Sequence, residues 1–140
     1  MSLSNAVKSD LLDAYFNSTA LSPPANVYIG LSSTAPAEDG TNVTEPSTGS
    51  YARVTVVNNG AAWNSATVAD PSVKDNAAEI AFPESTAAWL ASASLTHFVI
   101  YDAATAGNYI GGGALTTART VDAAGITLKF AAGELNIELS

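Results

Sequence analysis

The sequence predicts a mainly β chain, an antiparallel β-sandwich of jelly-roll type with one N-terminal helix. Three observations predict it. Seven short runs alternate apolar with polar residues or are rich in β-branched ones. Turn signals bearing Gly, Asn or Pro separate these runs. The first sixteen residues instead carry their apolar side chains at helical spacing. At 140 residues the chain has room for one domain, 1–140, read as a helical arm over 1–24 and a β-sandwich over 25–140.

The helix is justified first. Leu3, Val7, Leu11 and Tyr15 recur every four residues, with Leu12 and Phe16 alongside. Ser4 suits the N-cap, where its hydroxyl can accept an N–H of the first turn. Asn17, Ser18 and then Pro23-Pro24 end the segment. An apolar stripe on a polar helix needs a cover, either the chain's own sheet or a neighbouring subunit. Leu3, Val7, Leu11, Tyr15 and Phe16 are therefore the candidate interface residues.

The predicted strands follow in order: 26–32, 51–58, 77–82, 95–102, 108–115, 126–130 and 134–139, with short additions at 61–63 and 119–121. In the first, Val27, Ile29 and Leu31 alternate against Tyr28 and Gly30. In the fourth, Leu95, His97, Val99 and Tyr101 are expected to share a face. The last two runs, split by Ala131-Ala132-Gly133, read as a hairpin with a three-residue loop. Gly111-Gly112-Gly113 inside a strand suggests a bulge or a close backbone approach. The predicted core is Val27, Ile29, Leu31, Val54, Val56, Ile80, Phe82, Phe98, Ile100, Leu128 and Phe130. Residues 32–50 and 65–76 read as long loops, of the kind that are functional or ordered by a partner.

Composition excludes several classes. No run approaches the roughly 20 apolar residues that span a bilayer, so no membrane partner is expected. Residues 1–8 have no basic start followed by an apolar run, so no signal peptide is expected. Cysteine is absent, and neither disulfides nor thiolate metal sites can form. Thirteen acidic against five basic residues give a net charge of −8. Lys8, Arg53, Lys74, Arg119 and Lys129 are scattered singly, which argues against a nucleic-acid partner.

The chemistry of a catalytic site is equally sparse. His97 is the single histidine and lies mid-strand, where packing explains it better than catalysis. No serine sits in a G-x-S-x-G turn. Glu38, Asp39, Asn42 and Glu45 could offer oxygen ligands to calcium, but their spacing does not match a calcium loop, and a solvated acidic loop is the better reading. Gly111-Gly112-Gly113 lacks the Lys-Ser/Thr of a phosphate loop. The expectation is a non-enzyme with no catalytic residue, no metal and no cofactor.

Several motifs, taken in order, carry a resemblance. They are Tyr28-Ile29-Gly30-Leu31, Asp39-Gly40-Thr41-Asn42, Tyr51-Ala52-Arg53, Trp63-Asn64 and Asn76-Ala77-Ala78-Glu79-Ile80-Ala81-Phe82-Pro83 with Trp89. The most specific is Thr96-His97-Phe98-Val99-Ile100-Tyr101-Asp102, followed by Gly113-Ala114-Leu115-Thr116-Thr117 and Phe130-Ala131-Ala132-Gly133-Glu134-Leu135. Over residues 27–135 the chain resembles small structural proteins of tailed bacteriophages described as tail-fibre-like or as capsid cement (decoration) proteins. The family pattern places a proline before the arginine of its Thr-Thr-x-Arg turn, where this chain has Ala118, and the N-terminal helix varies in the family.

The resemblance, closest to a cement protein of a short-tailed phage, implies a homodimeric jelly roll on the outer capsid surface. Its partners would then be the major capsid protein and itself, and its action would be to hold the shell against internal DNA pressure. The alternative is a tail-fibre or tail-tip receptor-binding structural protein. A subunit of charge −8 suits the outside of a particle better than a DNA-filled interior.

Overall fold

A computed structural model describes residues 3–139; residues 1, 2 and 140, at the ends of the expected domain span, lie outside it. The chain is mainly β, with antiparallel sheets and one α-helix among the described residues. Helix α1 is Asn5–Phe16. The strands are β1 (Asn26–Ser32), β2 (Val54–Val57), β3 (Ser72–Asp75), β4 (Ile80–Ala81), β5 (Leu95–Tyr101), β6 (Tyr109–Arg119), β7 (Lys129–Phe130) and β8 (Asn136–Leu139).

One antiparallel sheet runs in the order β2-β1-β5-β6. Alternation sends Val27, Ile29 and Leu31 of β1 and Phe98 and Ile100 of β5 to one face, where they are buried. The opposite face is also covered, by Val99, Tyr101 and Tyr109 with Val43 from the loop after β1. That is why β1 and β5 are buried on both sides over their second halves.

Leu95 departs from the expected face. It packs with Phe98 and Ile100 rather than with Val99 and Tyr101. The pairing shifts between Leu95↔Arg119 and His97↔Ala114, so β6 carries extra residues opposite Thr96 and breaks the alternation there. A second shift, between Ile100↔Gly111 and Tyr101↔Tyr109, adjoins the glycine run. A Cβ on Gly112 would sit 2.5 Å from the Phe98 carbonyl oxygen, so the expected close backbone approach is found.

The second layer is two short pairs, β3-β8 and β4-β7, rather than one four-stranded sheet. This corrects the predicted C-terminal hairpin. Ala131–Gly133 do turn, with the Glu134 N–H donating to the Ala131 carbonyl, yet β7 pairs with β4 and β8 with β3. The two pairs form one interrupted antiparallel ribbon, residues 72–81 against 129–139.

Asn76 fills the interruption. Its Nδ2 donates to the carbonyls of Ala78 (2.7 Å) and Ala131 (2.9 Å), and its Oδ1 accepts from Leu135 N–H (2.9 Å). The side chain is fully buried, so these bonds replace water that cannot reach the gap. β3 lies in what the sequence presents as a loop, because its residues Ser-Val-Lys-Asp are mostly polar.

The core lies between the sheet and the ribbon. Of the predicted core residues, Val54, Val56 and Leu128 are only partly buried; the other eight are buried. Trp63, Trp89, Leu95, Val121 and Leu135 complete it. Trp89 is edge-on to Tyr51 at 5.1 Å between centroids, and its indole N–H donates to the Gly49 carbonyl.

The loop at 33–50 is ordered by its own chain, against expectation. Ser33 N–H donates to Thr44 O, Ala37 N–H to Thr41 O, and Asn42 Nδ2 to Ala35 O. Glu45 closes it onto the sheet through a nearly buried ion pair with Arg53 (2.6 Å) and by accepting from Tyr51 Oη (2.7 Å). Gly30 makes room: a Cβ there would collide with Glu45 Oε1 and lie 2.8 Å from Tyr51 Oη.

Candidate interaction surface

The residues with chemical potential are engaged with one another. His97 Nδ1 lies 2.8 Å from the Thr96 hydroxyl, and burial lowers the imidazole pKa from its ordinary value. No carboxylate bonds to it. The four oxygen-bearing residues of the acidic loop are dispersed: Glu38 pairs with Lys8, Asp39 accepts from Thr41, Asn42 donates to Ala35, and Glu45 pairs with Arg53. Glu45 corrects the solvated-loop reading, since it faces the sheet and not water. Among the described residues no three His, Cys, Asp or Glu side chains gather as a metal site.

Arg53 is the centre of the most elaborate network. Its guanidinium bonds both Glu45 oxygens and the carbonyls of Ala103 and Ala106, and lies 3.6 Å above the centre of the Tyr101 ring. Burial, and then the Glu45 carboxylate, push the Tyr51 hydroxyl well above the ordinary tyrosine range, so it stays a neutral donor. The network ties two loops, 33–53 and 102–108, to one another and to the sheet.

The open surface lies elsewhere, around α1. Ser4 caps the helix, its Oγ accepting from Val7 N–H at 3.3 Å. The tethers to the sheet sit at this end: Ser4 N–H to Ile110 O, Asn5 N–H to Glu38 O, and Lys8 Nζ to Glu38 Oε1. No residue within the helix is buried.

The structure divides the five candidate interface residues into two groups. Leu3, Val7 and Leu11 line an apolar groove of about 430 Å³ with Val73, Ile110 and Leu139 as further walls. Tyr15 and Phe16 lie outside it, 86% and 84% exposed, with their rings 6.3 Å apart. Trp63 also faces the groove. Its walls from β3 and β8 escaped the sequence reading with β3 itself; the Leu139 alternation was visible, its position beside the helix was not.

Three polar side chains around the groove are engaged within the chain, and the Asp10 carboxylate and Ser22 hydroxyl also border it. Asn58 Nδ2 donates to Pro24 O, Ser72 Oγ to Ala69 O, and Lys74 Nζ to Asn64 O. The surface offers apolar contact and little polar recognition.

This geometry, a β scaffold with an exposed apolar face, is accompanied by a match along almost the full length. A family model described as Podophage GP4 fiber I protein gp80 matches residues 2–138. The chain belongs to this family. It is thus a phage structural protein, tail-fibre-like, and its place is the virion. The family description names a fibre and not a capsid cement protein. Among curated proteins none matches the chain. The matched span includes α1 and every wall of the groove except Leu139.

Proposed function

We propose that this chain is a structural subunit of a podophage fibre, at the tail or its tip, that works by binding other virion proteins and not by catalysis. The observation that carries the proposal is the match to a fibre family over residues 2–138. It shifts the balance from the cement reading, with the major capsid protein as partner, to the fibre reading.

The side chains support a protein partner over nucleic acid. Lys8, Arg53, Arg119 and Lys129 form ion pairs with Glu38, Glu45, Glu134 and Glu79. Lys74 is held by a backbone carbonyl. Phosphate binding would have to break these bonds against a charge of −8. No helix among the described residues is long and apolar enough to cross a membrane.

Copy number and position in the particle test the proposal. Quantitative mass spectrometry of purified virions should give far fewer copies of this chain than of the capsid protein. Immunogold labelling should place them at the tail. Copies in numbers comparable to the capsid protein, spread over the head, would return the function to capsid cement.

A further inference from the structure

Helix α1 has two apolar faces, and its own fold serves only one. Successive residues turn by about 100° around a helix. Phe16 follows Val7 by nine residues, so the two point in about opposite directions. Leu12, five residues after Val7, is rotated by about 140°. Val7 and Leu11 face the groove, while Leu12, at 60% exposure, and Phe16 face solvent. Phe16 therefore cannot turn into its own groove without unwinding the last turn of α1.

The same chain thus presents an exposed ring pair and an open apolar groove: Phe16 cannot reach the groove in cis, and Tyr15, about 40° round from Leu11, lies outside it. We propose that a second copy of this chain covers the surface, the Tyr15–Phe16 pair of one copy entering the groove of the other. The area argues for a stable seam. Aromatic side chains bury about 150–250 Å² each, so two rings at their present exposure supply on the order of 300–400 Å². Leu12 and the half-exposed Leu21 and Leu139 bring the patch to the order of 500 Å², around the largest apolar patch of an ordinary monomer. A two-fold axis makes the exchange reciprocal, one ring pair and one groove from each copy. With about 500 Å² from each copy the seam buries on the order of 1,000 Å² in total, the size that a specific interface has to clear. The pairing is independent of whether the particle carries the chain on its tail or its head.

The absence of cysteine provides a direct test. Full-length Phe16→Cys and Leu139→Cys, both substitutions at exposed sites, are mixed and oxidised. The expected product is the mixed disulfide, in preference to either homodimer. Predominant Phe16→Cys homodimers would mean that helices pair face to face, and would overturn the proposal, as would no cross-link at all.

Light scattering gives the second measurement. Wild-type protein should run as a closed oligomer at micromolar concentration. Tyr15→Lys/Phe16→Lys should be monomeric with an unchanged far-UV circular dichroism spectrum, because lysine suits a helix C-terminus. A monomeric wild type overturns the proposal, whether empty, carrying a small apolar molecule or bound only to another virion protein. So does a double variant that stays associated.

Discussion

Asn76 shows how much one polar side chain can decide. Replacing it by Ala leaves the buried Leu135 N–H and the Ala78 carbonyl without their partner, while the Ala131 carbonyl keeps the Glu134 N–H. Unsatisfied buried groups cost about 1–3 kcal/mol each, so Asn76→Ala should lose on the order of 3 kcal/mol, read as a lower urea midpoint at unchanged slope. Tyr109 makes the converse case. Its hydroxyl is buried and has no hydrogen-bond partner. Tyr109→Phe should therefore leave stability equal or higher by up to about 1 kcal/mol in thermal unfolding. The same residue sets an alkaline limit. Burial, then Tyr101 and Glu38, push its hydroxyl up to about 12, against about 10 in an unfolded chain. A folded value above the unfolded one gives stability that is whole below pH ~10 and is lost as pH rises towards 12. Tyr109→Phe should retain more of its structure than wild type in a circular dichroism titration across that window.

At the scale of elements, α1 and the ribbon separate what sequence can and cannot tell. β1 was legible to the residue because Val27, Ile29 and Leu31 alternate without interruption. The helix was legible too, but its single stripe was not a single face. Leu3 lies before the helix, in a bridge with Gly111, and within α1 apolar residues four apart drift by about 40° per step, so from Val7 to Tyr15 the stripe turns by about 80° and leaves the groove. The ribbon was hidden for another reason. Ala131–Gly133 carry the local signal of a hairpin turn, and nothing local shows that residue 76 will bond across it. Register that depends on residues 55 positions apart lies beyond pattern reading. The loosely held helix also yields a prediction. Ser4→Ala removes the cap of α1, which should cost about 1 kcal/mol locally. Since nothing within α1 is buried, hydrogen exchange in residues 5–16 should quicken by roughly five-fold while the global unfolding midpoint barely moves.

For the molecule as a whole, charge and topology set the behaviour. The net charge of −8 opposes non-specific clustering at neutral pH, and that effect is lost as carboxylates protonate near pH ~4. Solubility should pass through a minimum there, measurable by turbidity, and added salt at neutral pH should strengthen association by screening like charges. The fold class and most of the core followed from alternation, because a sheet with buried faces leaves a period-two trace in its sequence. The surface that matters for assembly did not, because it is made where a helix, β3 and β8 meet, and only the folded chain brings them together.

The interrupted ribbon has a consequence for the birth of the subunit. Residues 73–77 bond back to residues 62–67, but residues 80–85 are held by residues 123–130, through Ile80↔Phe130, Phe82 N–H to Leu128 O and Ser85 N–H to Ile126 O. While the ribosome is still adding the residues between, Ile80 and Phe82 have no strand to cover them. A nascent chain at that point presents bare apolar surface and is a natural client for chaperones. The ribbon can close only after translation has passed residue 139, so the side of the subunit that β3 and β4 form is the last to be covered.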